Sequence, residues 1–319
     1  MKKTMIICLL LIVLVGCSGT KNQAKYTIGV LQYADHPSLD AAYEGMMSHL
    51  NETIGEGNYR LIYQNAQGDN GNNELMARGF ASEHVDLIYA IGTNAAQSAM
   101  NATDGKEIPV VFNAVTDPVS AGLVDSWTQP GRNITGVSDL TPVEKQMELI
   151  KELCPDAHRV GIVYNIGEIN SVTQIEKIKS LSSAYSFEIV ESGISSVQEI
   201  PIATQQLVEN VDVIFNITDN MIVASTANIV DIALKQNIPV VASEDGQIGE
   251  GILATESLSY YALGESAGAL IYEILVEGSK PQNISVVTST ETQLYINNDV
   301  AEQLGLEIPQ SLKSRNVMK

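Results

Sequence analysis

The chain has 319 residues, 45% of them hydrophobic, and sets 38 Asp and Glu against 18 Lys and Arg for a formal net charge of -20. That is more chain than a single core readily fills, so two domains of ordinary size are expected. So acidic a surface excludes nucleic acid, whose affinity comes from basic side chains displacing counterions, and anionic lipid headgroups repel it.

Met1, Lys2 and Lys3 give a short positive start, Met5 to Val15 is apolar throughout, and Leu14-Val15-Gly16-Cys17 closes the run with small residues before a cysteine, as a secretory signal does. The run reaches only to Gly16, well short of the ~20 residues a helix needs to cross a bilayer. It resembles the bacterial lipoprotein signal, which implies cleavage within residues 1–17, lipidation of Cys17 and anchorage on a membrane's outer face. Residues 18–25 read as a polar tether. With Cys8 in the signal and Cys17 as anchor, Cys154 stands alone in the folded part, so no internal disulfide can form. It continues the spacing of Val143, Met147 and Ile150 and reads as a small core residue.

Past the tether, short apolar strands alternate with longer helical patterns, the signature of parallel sheets built from βαβ units. Strands are expected at Thr27–Leu31, Asp86–Ile91, Pro109–Phe112, Val160–Tyr164, Asp212–Ile217 and Pro239–Ala242. Most are continuous runs of β-branched and aliphatic residues, as strands covered on both faces require. Leu39, Tyr43, Met46 and Leu50 fall at helical spacing. The second half also echoes the first. Residues 85–94 match 211–220 at an offset of 126, Ile108-Pro109-Val110-Val111 matches Ile238-Pro239-Val240-Val241 at 130, and Ile28-Gly29-Val30 matches Val160-Gly161-Ile162 at 132. Two similar α/β domains are implied.

In open α/β sheets, ligands sit beyond the carboxyl ends of the strands. Those ends are polar here: Tyr33, Asp35, His36, Thr93, Asn94, Asn113, Thr116 and Asp117 in the first half, and Asn165, Glu168, Asn170, Ser171, Thr218, Asp219, Asn220, Ser243, Glu244 and Asp245 in the second. If the sheets face each other, both sets line one cleft, although many such residues cap helices.

Other chemistries find little footing. Gly264-Glu265-Ser266-Ala267-Gly268 matches the nucleophile elbow of serine hydrolases, but Leu263, Ala267, Leu270, Ile271 and Ile274 run through it at helical spacing, and no histidine follows His158. The four histidines, at 36, 49, 84 and 158, have no partners at metal-ligand spacing. No glycine-rich phosphate cradle is present, and no cofactor or metal is expected.

Residues 64–69 (QNAQGD), 114–119 (AVTDPV), 133–139 (NITGVSD) and 164–171, taken in this order, resemble the signatures of an ABC transporter substrate-binding lipoprotein family whose characterised members bind aromatic amino acids. The resemblance spans the mature chain, with one departure: Ile166 stands where relatives often carry proline. It implies the type I periplasmic binding protein fold, two Rossmann-like parallel-sheet lobes joined by a three-crossover hinge. The first lobe would hold residues 26–137 and 257–285, the second 138–256 and 286–319. It further implies a non-enzymatic receptor partnered by an ABC permease and its ATPase. An amino acid's carboxylate would meet helix-start N–H groups helped by Thr93, Asn94 and Thr116, and its ammonium would meet Asp219. Asn165, Glu168, Asn170, Ser171 and Asn220 would close from the other lobe, with Glu244 also in the cleft and Tyr33, Phe112, Phe215 or Tyr260 as aromatic walls. A sensor role, or a branched-chain amino acid, nucleoside or sugar as ligand, stays open.

Overall fold

The structure, a computed structural model, describes residues 24–318, so the expected signal, Cys17 and most of the tether lie outside the described residues. Strands β1 (Tyr26–Gln32), β2 (Tyr59–Asn65), β3 (Leu87–Ile91), β4 (Val110–Asn113) and β5 (Ile134–Gly136) form a wholly parallel sheet in the order β2-β1-β3-β4-β5. Helices α1 (Pro37–Thr53), α2 (Asn70–Glu83) and α3 (Thr93–Ala102) follow its first three strands. A second sheet combines β6 (Arg159–Asn165), β7 (Glu188–Ile194), β8 (Val213–Asn216), β9 (Val240–Ala242), β10 (Ala254–Ser257) and β11 (Gln293–Ile296) in the order β11-β10-β9-β8-β6-β7. Only β11 runs antiparallel to its neighbour. Its helices are α4 (Val143–Leu153), α5 (Ile169–Ser182), α6 (Ile200–Val208), α7 (Asn220–Val223) and α8 (Thr226–Lys235), and α9 (Tyr260–Tyr272) comes later in the chain.

Without β11, the second order is the first with β6 in the place of β1, and β8 and β9 in the places of β3 and β4. Those are the three strand pairs that share sequence. All six strands expected from sequence form, each within two residues of its expected ends. The strands absent from that reading, β2, β5, β7, β10 and β11, are edge strands or short ones. β2 (YRLIYQN) and β7 (EIVESGI) carry Arg60, Glu188 and Glu191 on partly exposed backbones, so they never read as continuous apolar runs.

One core gathers buried residues from Ile28 to Val137 and again from Leu258 to Val286. The residues between Val143 and Ala254, and those from Leu294 onward, fill separate clusters against the second sheet. The chain therefore passes between cores three times, at 137–143, 254–258 and 286–294. Val137 and Val287 pair there as an isolated parallel bridge, and Tyr260 Oη donates to Asp139 Oδ2 at 2.8 Å, so the crossings are tied together.

The elbow-like motif lies inside α9, where Ser266 is half-buried and donates to the Ala262 carbonyl. Its glycines serve packing: a Cβ on Gly264 would strike the Ala42 carbonyl of α1, and one on Gly45 would strike that of Tyr261. Cys154 ends α4 buried, and burial pushes its thiol up to about 11, which makes it unreactive. Gly264→Ala is expected to lower unfolding free energy by about 1–3 kcal/mol through overpacking. Gly79→Ala in α2, where nothing lies within 4 Å of the added carbon, should be neutral or stabilising. Chemical denaturation of the two variants checks both.

Candidate functional site

The carboxyl ends of the two sheets face each other, and each functional side chain is placed by the turn that follows its strand. After β1, His36 is the N-cap of α1, yet its side chain does not cap: Nε2 lies 3.3 Å from Asn220 Oδ1 in the other half. After β3 the chain turns at Gly92, with φ +98°, into α3. A Cβ at Gly92 would come within 3.1 Å of Tyr33 Cβ and 3.7 Å of Asn220 Oδ1, so only glycine suits both the backbone and the space. The first N–H groups of α3, from Thr93 on, have no intrahelical acceptor.

The matching turns of the second half are filled from within. Glu168, the N-cap of α5, is fully buried. Its Oε2 accepts from Asn220 N at 3.0 Å, Asn220 Nδ2 at 2.6 Å and Asn170 Nδ2 at 3.2 Å, and Oε1 accepts from Met221 N at 3.2 Å and Asn165 Nδ2 at 3.3 Å. The start of α7 is thus occupied by the protein's own carboxylate. Asp219 caps α7 through Ile222 N at 3.0 Å, while its other oxygen accepts from Asn165 N and Ser171 Oγ, both at 2.7 Å. Burial, and secondly the neighbouring Glu168, push the Asp219 carboxyl up to about 7.

Three cavities touch residues of both halves: one beside the crossings, lined by Asp117, Pro142, Gln174 and Lys177 among others, and two among the strand ends. Of these two, the central one is narrow, about 230 Å³ between atoms including its open mouth, of which only about 10 Å³ admits the centre of a water molecule, and it is lined by His36, Thr116, Asp139, Asn170, Glu244 and Tyr260, among others. The outer one, about 510 Å³ including its open mouth, is lined by Tyr33, Gly68, Asn165, Glu168 and Met221; Asn220 borders both. Around the central cavity four buried atoms have no hydrogen-bond partner among the described residues: His36 Nδ1, Asp139 Oδ1, Asn170 Oδ1 and Glu244 Oε2. Asn170 Nδ2 donates to the Thr218 carbonyl at 2.9 Å, which leaves its Oδ1 as the free end. Among the described residues, no lysine or arginine lines the space. Burial accordingly pushes the carboxyls of Glu244 and Asp139 up, and that of Asp245 beside them to about 6. Among the described residues, no group of three or more His, Cys, Asp or Glu is arranged to hold a metal ion.

Of the residues expected from sequence, His36, Thr116, Asn170, Asn220 and Glu244 meet at the central cavity, and Tyr33, Asn165 and Glu168 at the outer one. Thr93, Asn94, Ser171 and Asp219 line neither, and Asp117 lines only the cavity beside the crossings. Asn94 Nδ2 donates to Asn70 Oδ1, and Asp117 ties its own turn through Val119 N, Ser120 N and Ser120 Oγ. Asp219 is the main correction: fully buried, away from both cavities and with each oxygen already accepting from the chain's own donors, it positions Asn165 and Ser171 rather than facing an ammonium group. Phe112 and Phe215 are sheet core and form no wall. Asp139 is the residue that sequence reasoning missed. It lies in a crossing with no periodicity to mark it.

A family model described as ABC transporter substrate binding protein matches residues 27–317. The chain belongs to this family. It is 40% identical over 290 residues to a tyrosine-binding protein of Clostridioides difficile strain R20291, covering 90% of this chain and 83% of that one. An ABC domain in complex with L-Trp from Streptococcus pneumonia superimposes with a TM-score of 0.89 at 32% identity, covering 92% of this chain and 99% of that one. A ligand-free, open substrate-binding protein from Clostridium difficile, at 38% identity and covering 89% and 96%, reaches 0.68. The fold is that of type I periplasmic binding proteins. The L-Trp complex, though less identical, fits better than the ligand-free, open structure.

This buried acidity has a signed consequence. Asp219 and Asp245, at about 7 and 6 against an ordinary 3.8, hold protons in the fold that the unfolded chain releases. Their stabilisation is complete below the unfolded value and is lost as pH rises through the folded values. His36, pushed down to about 4 by burial, acts oppositely, its contribution being lost as pH falls below the ordinary 6.5. From about pH 8 to about 6.5 the carboxylates govern, so the Tm of ligand-free protein should rise as pH falls. Scanning calorimetry at fixed ionic strength checks this, and a flat or falling Tm would refute it.

Proposed function

We propose that this protein captures a free α-amino acid, with an aromatic side chain, between its lobes and delivers it to an ABC importer. The observation that carries the reading is the set of unpartnered acceptors Asp139 Oδ1, Asn170 Oδ1 and Glu244 Oε2 around one cavity that, among the described residues, no lysine or arginine lines. An ammonium group brings three N–H donors and the positive charge that two buried carboxyls lack. A sugar hydroxyl brings one donor and no charge. The ligand's carboxylate would meet the start of α3, which borders the cleft at Gly92 beside Tyr33 and Asn220, because the corresponding start of α7 is already filled by Glu168. The tyrosine-binding relative and the L-Trp complex support an aromatic side chain.

The lobes divide at 137/138, 256/257 and 285/286 in this reading, with the crossings as hinge. The protein works outside the cytoplasm, held by lipid on Cys17, and binds without turnover; among the described residues no helix is long and apolar enough to cross a membrane. Calorimetric titration of ligand-stripped protein with the common amino acids tests the reading, and heat with none of them would refute it. Glu244→Ala is expected to weaken binding about 30-fold or more, on the order of 2 kcal/mol, without lowering the Tm of the ligand-free protein. Cys17→Ser should release the protein from the membrane fraction into solution, as blotting of cell fractions would reveal.

A further inference from the structure

Three of the four unpartnered acceptors suit the ligand's ammonium group, an assignment that rests on the function proposed above. The fourth, His36 Nδ1, is left over, and its character is set by a relay across the cleft. Glu168 Oε2 accepts Asn220 Nδ2–H at 2.6 Å, which turns the Asn220 amide so that Oδ1 faces His36. With an acceptor 3.3 Å away, Nε2 must carry the ring hydrogen, and Nδ1 then holds a bare lone pair. That nitrogen is buried and takes no part in capping α1. Burial holds the ring neutral, its pKa pushed down to about 4. A neutral imidazole does nothing for an ammonium's charge, whereas the Asp139 and Glu244 carboxyls do. What it can receive is a neutral donor such as a phenol O–H or an indole N–H.

We propose that His36 is the specificity-determining residue of the cleft: its Nδ1 accepts a hydrogen bond from a side-chain O–H or N–H of the ligand, so that tyrosine or tryptophan is chosen over phenylalanine. Asn220 and Glu168 are positioning residues that fix the tautomer. His36 belongs to the first core's side of the cleft and Asn220 to the second, so the relay forms only when the lobes close, and the ligand's donor is read in the closed state. Phenylalanine carries the same ring as tyrosine but leaves the buried acceptor unmet, and sites built to receive a donor reject analogues that lack it.

Titration of ligand-stripped protein with L-tyrosine, L-tryptophan and L-phenylalanine is expected to give phenylalanine a Kd at least about tenfold above the better of the other two. His36→Leu should erase that gap by weakening the preferred ligand while holding phenylalanine within about threefold, and His36→Asn, whose Oδ1 can stand near the lost Nδ1, should restore part of it. A long-range proton–nitrogen spectrum of the wild-type protein should place the His36 ring hydrogen on Nε2, and Asn220→Ala should mix the tautomers. Equal wild-type affinity for all three amino acids overturns the proposal and leaves the amino-acid reading standing. Equal loss of all three in His36→Leu makes the residue a strut, and a ring hydrogen on Nδ1 removes the acceptor; either overturns it. Binding of none of them removes both readings together.

Discussion

A carboxyl group shut away from water must find its hydrogen-bond donors inside the protein, and Glu168 finds five of them. Those donors come from Asn165 at the end of β6, Asn170 in the first turn of α5, and Asn220 and Met221 at the start of α7. One buried group thereby fixes the relative positions of three chain segments and the amide orientations of three asparagines. Asn170 then presents its carbonyl oxygen to the central cavity, and Asn220 presents its own to His36. Removing Glu168 would leave donors, not merely a gap, unsatisfied at the wall of the cleft.

Closure adds a second layer of constraint. Crossings of the chain between cores permit one lobe to rotate on the other, and the bridge between Val137 and Val287 and the Tyr260–Asp139 bond hold those crossings side by side. Glu256, at the second crossing, accepts from Thr292 Oγ1 at 2.7 Å and pairs with Arg315 at 2.6 Å, so the third crossing and the chain's last residues brace the same point. Bending is thus confined to a narrow strip, while the acid-lined space opposite it gathers carboxyls that burial drives toward the neutral form.

The sequence made the sheet interiors legible because strands covered on both faces are written in one alphabet, as in Leu87–Ile91 and Val213–Asn216. The repeat between them was legible for the same reason. Edge strands β2 and β7 were not, since Arg60, Glu188 and Glu191 interrupt any apolar run. Positions of site residues could be read, because polar residues after a strand are visible as such. Their roles could not. Asp219 and Glu244 both follow a strand as acidic residues, and only the surrounding donors decide that one is a satisfied cap and the other an unmet acceptor. Asp139 stayed hidden because its importance comes from long-range closure onto Tyr260.

The offset of 132 that relates β1 to β6 also sets His36 against Glu168, each preceding the helix after its strand. The offset of 126 likewise sets the start of α3 against that of α7. In one half the helix start has swallowed a permanent guest; in the other it waits for a visitor. The two halves should therefore tolerate change differently. Substitutions around the α7 start would register as lost folding, and matching ones around the α3 start as lost affinity in a protein that still folds, so an ancient symmetry of construction has become a division of labour.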